Sequence, residues 1–344
     1  MDEHSFHHRE LALALLRPEA HVVVRGDGLI EAPIQQMTPG MRANASFFSH
    51  PQWGAKYFDV ENHRALIGPR WQAATGSWEG KVVVDLGCGP GNLFRSVEGT
   101  PALLIGVDVS EGALAHAATL GYVPMLADAH HTPLVDGCAD LVVANATLHH
   151  TDDPAAVLSE AARLLKPGGL LVTDEDPLCF DAAFSRLGKF IRWARSQVPL
   201  TRVRHHPSRR LVFGSPLERR QRHQTEIHQK FVGDGIERSM FNDVLAPRGF
   251  TFRLIPHGHL AGPEILEGGR GRNTSLLQLS QRVSDIAPEE SDALMSVMCI
   301  AHKPLDAPQT ISPMQAEHSG ACDAGRLSGL AIRGLVEVAQ RRHR

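Results

Sequence analysis

The sequence predicts an α/β protein built on a doubly wound, mostly parallel sheet. From Lys81 onward, short apolar runs alternate with amphipathic segments, the pattern of parallel strands covered by helices on both faces. The connections between such strands are right-handed, which gives a doubly wound sheet. A turn rich in glycine, Asp85-Leu86-Gly87-Cys88-Gly89-Pro90-Gly91, follows the first apolar run. Turns of this kind mark the ligand-binding edge of open parallel sheets.

The core elements follow one another at regular intervals. The apolar runs predict five strands, at residues 81–86, 102–109, 122–127, 140–148 and 170–174. The segments between them predict helices that begin at Gly91, Ser110 and Pro154, the second with Ser110 as its N-cap. We expect the third helix to stop at Pro167-Gly168-Gly169. The domain is completed by a helix at 236–245 and strands at 250–256 and 293–301.

Three segments flank or interrupt this core. Residues 1–80 predict an N-terminal extension, or flap, in which aromatic residues are concentrated just before the core. The core domain is expected at residues 81–304, with a basic helical insertion at about 178–232, after strand five. Residues 305–344 predict a linker and an amphipathic C-terminal helix.

The composition is that of a soluble globular protein. The 344 residues are 42% hydrophobic and 21% charged, which excludes the disordered and membrane classes. The apolar runs are too short to span a bilayer, and the acidic, histidine-rich start does not resemble a signal peptide. Five cysteines without a Cys-x-x-Cys pair suit a reducing compartment. We therefore expect a cytoplasmic protein without a transmembrane segment, and a homodimer is one option for its assembly.

The chain has twenty histidines, several of them in doublets such as His149-His150. Neighbouring side chains on a helix or strand point in different directions, so a doublet alone is poor ligand geometry. No His-Glu-x-x-His motif and no Cys/His cluster accompanies the doublets. We therefore predict no metal ligands.

The glycine-rich turn indicates a ligand at the end of a strand. Glycines let the backbone turn tightly and let a ligand approach closely. The dinucleotide motif Gly-x-Gly-x-x-Gly fails in both registers, because Asn92 or Phe94 stands where its third glycine is needed. No Gly-Lys-Ser or Gly-Lys-Thr of a phosphate-binding loop is present. Asp85, two residues before the first glycine, suits the positively charged ammonium and sulfonium of S-adenosylmethionine better than a pyrophosphate.

Five motifs resemble, in order and spacing, those of the class I S-adenosylmethionine-dependent methyltransferases, and more narrowly the small-molecule branch that includes the quinone-biosynthesis methylases. They are the turn at 85–91, Asp108 after strand two, Asp128-Ala129 after strand three, residues 140–150 around strand four and 164–169 before strand five. The resemblance is dense over residues 81–177 and loose over 233–303. It implies a Rossmann-like methyltransferase fold with S-adenosylmethionine as cofactor.

The resemblance also implies which residues contact the cofactor. Asp108 matches the acid that holds the ribose hydroxyls, and Asp128 with Ala129 matches the pair that reads the adenine edge. Tyr57, His63 and Arg64 precede the core, where related enzymes close over the cofactor. The expected cofactor residues are Tyr57, Asp85, Gly87, Cys88, Gly89, Gly91, Asn92, Asp108, Val109, Asp128, Ala129 and Asn145.

Candidate catalytic residues follow strands four and five. Methyl transfer needs an aligned acceptor and, where that acceptor carries a proton, a base. His149 and His150 lie just past strand four, and Glu175 ends strand five, its expected neighbour. A histidine steadied by a carboxylate is a plausible general base. The alternative is that the doublet, which is widespread in the resembled family, only shapes its loop.

The basic insertion leaves the methyl acceptor open. Between Ser185 and Lys230 the sequence holds twelve Arg and Lys residues against two acids, Glu218 and Glu226. Such a stretch can grip an anionic acceptor, dock on RNA or an anionic membrane, or form a solvated helical cap. We predict methylation of oxygen, nitrogen or carbon in a small, anionic or aromatic molecule. An RNA-modifying enzyme, disfavoured because few stacking aromatics are present, and a non-catalytic cofactor-fold protein are the alternatives.

Overall fold

The structure, a computed structural model, describes residues 3–51, 67–179, 184–197, 201–202, 211–212, 215–228, 235–287, 294 and 296–305. The chain divides into two compact units, Met1–Ala307 and Pro308–Arg344. The predicted C-terminal helix falls in the second unit, which lies outside the described residues. Across the described part of the chain, no helix has the length and apolar character needed to cross a membrane.

Strands and helices alternate through the first unit. The strands are β1 (Val23–Val24), β2 (Ile30–Glu31), β3 (Val82–Leu86), β4 (Leu103–Asp108), β5 (Val123–Leu126), β6 (Ala139–Asn145), β7 (Leu165–Pro177), β8 (Thr201–Arg202), β9 (Leu211–Val212), β10 (Thr251–His257) and β11 (Ser296–His302). The helices are α1 (Glu3–Ala14), α2 (Pro39–Phe48), α3 (Gly68–Thr75), α4 (Glu111–Thr119), α5 (Pro154–Leu164), α6 (Arg186–Gln197), α7 (Pro216–Thr225), α8 (Arg238–Leu245) and α9 (Ser275–Arg282).

The main sheet has the strand order β1-β2-β5-β4-β3-β6-β7-β11-β10. The six consecutive strands from β2 to β7 in this order are parallel to one another, whereas β1 is antiparallel to β2, and β11 is antiparallel to both β7 and β10. The predicted doubly wound, mostly parallel sheet is confirmed. Because β3 pairs with β4 on one side and β6 on the other, the winding reverses direction at β3. Ligands bind at such a switch point, outside the carboxyl ends of the strands.

Apolar side chains on both faces of the sheet hold this core together. Successive strand residues point to opposite faces, and accordingly Val84 and Leu86 belong to one buried cluster while Val83 belongs to the other. The covering helices begin at the positions that their N-caps dictate. The Ser110 side chain accepts a hydrogen bond from the N–H of Ala113, and Asp153 caps α5 in the same way.

The helix predicted to begin at Gly91 does not form, and that prediction was wrong. The segment contains only a short 3-10 turn at Phe94–Ser96. Val97 is extended, and the N–H of Glu98 donates to the side chain of Gln72 at 2.6 Å instead of continuing a helix. Packing against α3 therefore overrides the local helical pattern.

The end of the third predicted helix also differs from expectation. Helix α5 stops at Leu164, and β7 starts at once and runs through Pro167-Gly168-Gly169. The N–H of Gly168 donates to the carbonyl of Lys303, and the N–H of Lys303 donates to Gly169. These bonds to the chain beyond β11 draw the proline-glycine segment into the sheet.

The N-terminal extension adds to the sheet and packs on its helices. Strand β2 pairs in parallel with β5, with Ile30 beside Met125. Helix α2 packs against α4 and α7. At the contact with α4, a Cβ built on Gly112 would lie 2.6 Å from the Cα of Ser49. The two helices therefore meet through a position that has room for glycine alone.

We expect Gly112→Ala to destabilise the protein by about 1 kcal/mol or more, because the added methyl would overpack the contact between α2 and α4. In an uncrowded helix the same change stabilises by roughly 0.8–1 kcal/mol. Urea unfolding of the variant measures the difference. Gly26→Ala is the control, since a Cβ there meets nothing within 4 Å. A more stable Gly112→Ala variant would show that α2 does not pack here as described.

Candidate active site

A cavity of about 320 Å³ opens at the carboxyl ends of β3 to β7. That volume lies within the range of small-ligand pockets. Most of the predicted site residues line it, namely Asp85, Gly87, Cys88, Gly89, Asn92, Asp108, Val109, Asp128, Ala129, Asn145, His150 and Glu175. Gly91 and His149 are not in its wall. Tyr57, His63 and Arg64 lie outside the described residues.

The glycine-rich turn is shaped by two close contacts. Gly87 has a φ of 68°, and a Cβ there would lie 2.4 Å from Cγ2 of Thr147, which follows β6. Gly91 has a φ of 83°, and its Cβ would meet the ring of Tyr122 at 2.8 Å. Gly87 thus brings the turn against the end of β6, whereas Gly91 serves packing behind the turn.

Asp85 ends β3 with its side chain 1% exposed. The Tyr122 hydroxyl donates a hydrogen bond of 2.8 Å to Oδ2 of Asp85. Burial raises the pKa of Asp85 to about 7; the Tyr122 hydrogen bond counteracts that rise, and the charge of Asp108 adds to it. A cation placed beside Asp85 would favour its charged form.

Asp108 ties the end of β4 to the glycine-rich turn. Its Oδ2 accepts from the N–H of Gly89 at 2.9 Å, and its Oδ1 accepts from the N–H of Ser110 at 2.8 Å. Burial raises the pKa of Asp108 even though these backbone hydrogen bonds lower it. A carboxylate has about four lone-pair sites, so it can still accept from hydroxyl groups in the cavity.

Asp128, past the end of β5, is held by His130, a residue that the sequence analysis did not assign. The Asp128 Oδ1 lies 2.6 Å from His130 Nδ1 and accepts from its backbone N–H at 2.9 Å. Burial opposes ionisation of Asp128, but the hydrogen bonds from His130 outweigh it and lower the pKa of Asp128. The carboxylate therefore stays charged in the wall of the cavity.

The ends of β6 and β7 have strained backbone. Ala146 and Glu175 have φ values of 53° and 62°, in the left-handed region that non-glycine residues rarely adopt. The N–H of Ala146 donates to the carbonyl of Asp174 at 2.7 Å. Both residues line the cavity, and strained backbone of this kind clusters at functional sites.

A buried ion-pair network fixes Glu175 at the end of β7. Arg70 of α3, which is 1% exposed, forms ion pairs with Asp174 at 2.8 Å and with Glu175. On the other side, His257 Nε2 lies 2.8 Å from Asp174, and its Nδ1 lies 2.9 Å from the Gly258 carbonyl. Burial lowers the pKa of His257, but Asp174 outweighs burial and raises it. Arg70 thus faces both carboxylates, and Asp174 favours the protonated form of His257, so that the buried negative charge has partners on two sides.

The side chains of His149 and His150 lie together, so the expectation that the doublet diverges is wrong here. Their ring centroids are 4.0 Å apart. The reason is local: the residues belong to a 3-10 turn, Leu148–His150, rather than to a strand or an α-helix.

His149 is buried between two carboxylates. Its Nδ1 lies 2.8 Å from Asp176 Oδ1, and its Nε2 lies 3.5 Å from Glu226 Oε2. Burial lowers the pKa of His149, but Asp176 and Glu226 outweigh burial and raise it to about 9. At neutral pH, His149 is a cation behind the cavity wall.

His150 faces the cavity. Its Nδ1 lies 2.7 Å from the Thr225 carbonyl, which can only accept, so Nδ1 carries the proton and Nε2 keeps its lone pair. Burial, together with the neighbouring His149 charge, lowers the pKa of His150 to about 4. His150 is therefore the neutral member of the pair at physiological pH.

Some cavity residues were missed because they come from distant segments. Asn44 and Phe48 of α2 line the cavity, and the Phe48 ring meets that of His150 edge-on at 6.1 Å. Arg70, which does not line the cavity but forms an ion pair with Glu175, was also missed. The sequence offers one indication of its pairing. Arg70 stands in a stretch without acidic residues from Ile67 to Trp78, so its charge partners had to come from elsewhere in the fold.

The strands that carry this cavity match a known domain. Residues 84–173 match the family described as "Methyltransferase domain". The chain is 35% identical over 107 residues to the ubiquinone biosynthesis O-methyltransferase of Thiobacillus denitrificans, covering 29% of this chain and 46% of that protein. It is 35% identical over 96 residues to the malonyl-[acyl-carrier protein] O-methyltransferase of Hahella chejuensis, covering 26% and 34%.

Two further proteins are similar to this chain, one in sequence and one in structure. An uncharacterized 37.1 kDa protein in transposon TN4556 of Streptomyces fradiae is 40% identical over 105 residues, covering 28% of this chain and 30% of that protein. The solved structure of the plantazolicin methyltransferase BpumL aligns with a TM-score of 0.42 and 14% identity, over 77% of this chain and 97% of that one. The chain thus spans less than half the length of the curated relatives it matches.

The buried Asp85 carboxyl predicts a pH dependence of stability. Its pKa is about 7 in the folded protein and about 4 in an unfolded chain. Its contribution to stability is therefore complete below about pH 4 and is lost as the pH rises through about 7. Between about pH 5 and pH 7, the wild type should lose roughly 2 kcal/mol of unfolding free energy relative to Asp85→Asn.

Urea unfolding of both proteins across this pH range measures the effect. Asp243→Asn, an exposed position on α8, is the control and should follow the wild type. Parallel curves for the wild type and Asp85→Asn would mean that the Asp85 carboxyl is not shifted by burial.

Proposed function

We propose that this chain, whose residues 84–173 match a methyltransferase domain, is a class I S-adenosylmethionine-dependent methyltransferase that transfers a methyl group from this cofactor to a small-molecule acceptor. One observation carries the proposal: the carboxyl ends of β3 to β7 enclose a single cavity into which acids from successive strands project. Its acidic wall favours a cationic ligand such as the ammonium and sulfonium of S-adenosylmethionine.

The residues present fit this cofactor. Gly87 to Gly89 give close access to the backbone, and Asp85 provides a negative group beside the turn. Asp108, Asp128 and Ala129 line the cavity. The family resemblance implies that Asp108 accepts from the two ribose hydroxyls and that Asp128 with Ala129 reads the adenine edge. When bound, S-adenosylmethionine supplies a methyl carbon already activated by its sulfonium. The protein's remaining task is to align the acceptor and to exclude water.

His150 is the candidate base. Its Nε2 has a free lone pair because Nδ1 donates to the Thr225 carbonyl. A base with a pKa of about 4 is weak, so it suits an acceptor whose proton is already acidic. An acceptor that carries no such proton would need no base. His149 acts as a positioning residue in this scheme, since it does not line the cavity. Glu175, held by Arg70, is the second candidate for contact with the acceptor.

RNA methylation is a second candidate, supported by one observation on the basic insertion. Phe190 and Trp193 of α6 are more than half exposed, with ring centroids 5.7 Å apart, and Lys189 beside them is exposed. Exposed aromatics among basic residues can stack on unpaired bases. Binding to RNA that weakens steeply with salt would favour this candidate over a small-molecule acceptor.

We expect Asp108→Ala to weaken S-adenosylmethionine binding by roughly 100-fold or more, because hydrogen bonds to a charged group contribute about 1.5–3 kcal/mol each. Equilibrium dialysis with labelled cofactor measures the affinity, and circular dichroism verifies that the variant folds. Asp243→Ala, at the exposed α8 position, is the control and should bind as the wild type does. A folded Asp108→Ala variant with unchanged affinity would contradict the proposed cofactor site.

A further inference from the structure

The side chains of His149, His150 and Glu226 form a compact cluster beside the cavity. One ring nitrogen of each histidine and one carboxylate oxygen of Glu226 lie within 4.8 Å of one another. The histidines belong to the turn after β6, whereas Glu226 follows α7 in the basic insertion. Their convergence is therefore produced by the tertiary fold.

Both histidines are oriented as imidazole ligands of metals are. A ligating histidine almost always donates its other ring N–H to a carboxylate or a backbone carbonyl. His149 Nδ1 lies 2.8 Å from Asp176 Oδ1, so Nε2, on the side of Glu226, is the nitrogen that releases its proton when a metal ion binds. His150 Nδ1 donates to the Thr225 carbonyl at 2.7 Å, which leaves the lone pair of Nε2 free. The two supporting groups are thus in place.

Buried polar atoms without a partner collect around the same cluster. Among the described residues, Glu226 Oε2 has no hydrogen-bond partner, and its 3.5 Å separation from His149 Nε2 is too long for a strong hydrogen bond. Asp176 Oδ2 and His228 Nε2 are also buried and without a partner. The backbone N–H of His228 donates to the His149 carbonyl at 2.9 Å, which places that residue beside the cluster. Buried groups of this kind call for a ligand or an ion.

We propose that His149, His150 and Glu226 bind a divalent cation of the class that prefers imidazole ligands, such as Zn²⁺ or Co²⁺. Two imidazoles and one carboxylate suit these cations, whereas Mg²⁺ and Ca²⁺ take oxygen ligands. Three protein ligands leave a coordination position open, as in catalytic metal sites. Sequence spacing alone predicts no metal ligands, because it does not place Glu226 beside the histidine doublet.

The location gives the cation a role that rests on the proposed function. His150 is at once a ligand and part of the cavity wall. In the metal-bound protein, Nε2 of His150 is a ligand and no longer a free base. The cation takes over that task, because it polarises an oxygen or nitrogen of the acceptor and eases the loss of its proton. Binding of the cation can be measured without any methyl acceptor, so the site is testable by itself.

The test uses the full-length protein, stripped of metal with a chelator and titrated with ZnCl₂ by calorimetry. The wild type should bind one Zn²⁺ tightly. Glu226→Gln and His150→Gln should each weaken that binding at least tenfold, with circular dichroism to verify folding. Because the chain has twenty histidines, weaker sites elsewhere are expected. His223→Gln, at an exposed position of α7, and Glu237→Gln, also exposed, are matched controls that should leave the tight site intact.

CoCl₂ provides a spectroscopic readout. Visible bands of nitrogen-ligated Co²⁺ should appear at one equivalent in the wild type and be lost in both variants. Zn²⁺ should also raise the melting temperature of the wild type and of both control variants, but not of Glu226→Gln or His150→Gln, since a ligand that binds only the native state stabilises it. Equal tight binding by the wild type and Glu226→Gln, or the absence of a tight site, would overturn the proposal and leave an ion-pair cluster that holds α7.

Cofactor binding separates this proposal from the proposed function. The wild type with chelator present should still bind S-adenosylmethionine. If it does while Zn²⁺ does not bind, the metal site fails alone. If Zn²⁺ binds at the cluster and S-adenosylmethionine does not bind with or without it, the metal site stands and the proposed function fails.

Discussion

The hydrogen bonding of β3 to β4 on one side and to β6 on the other is the constraint on which the site depends. It aligns Asp85 with Gly106 and Val143, so that the ends of three strands lie at one edge. β7 extends this edge through the pairing of Asn145 with Asp174. Residues far apart in the chain therefore enclose one cavity. If any of these strands were shifted by one residue against its neighbour, the side chains of the shifted strand would point to the opposite face of the sheet.

The charges at this edge follow from the same geometry. Parallel strands point their carboxyl ends together, and here those ends bring Asp85, Asp108, Asp128 and Glu175 to one cavity. The protein compensates each acid differently. Asp85 accepts a hydrogen bond from Tyr122, and Asp108 accepts from backbone N–H groups. Asp128 is hydrogen-bonded to His130, and Glu175 forms an ion pair with Arg70. The negative charge that these partners do not neutralise faces the cavity, where a cationic ligand would interact with it.

The part of the site that could be predicted from the sequence is the part made by local motifs. Strand ends, the glycine-rich turn and Asp108 have fixed spacings, so their position at the edge of the sheet can be inferred without knowing the fold. The helix predicted after Gly91 does not form because the side chain of Gln72, in α3, accepts the hydrogen bond of the Glu98 backbone N–H. Its loss shows tertiary packing overriding local propensity.

Other features needed the three-dimensional fold. Glu226, Arg70 and Asn44 come from segments with no motif of their own. Their partners at the ends of β6 and β7, which are His149, Asp174 and His150, lie 77, 104 and 106 residues away. The histidine doublet shows the limit most clearly. Its sequence suggests two equivalent bases, whereas the fold gives one cation between carboxylates and one neutral ring in the cavity wall. Such a division depends on which groups surround each ring, and sequence spacing does not specify that.

The central claim is that the cavity at the end of β3 to β7 binds S-adenosylmethionine. Isothermal titration calorimetry of the unaltered full-length protein with this cofactor tests it most directly. The account predicts saturable binding of one molecule per chain. The absence of binding by a folded protein would contradict the account, because the acids and glycines of the cavity would then have no cofactor to hold.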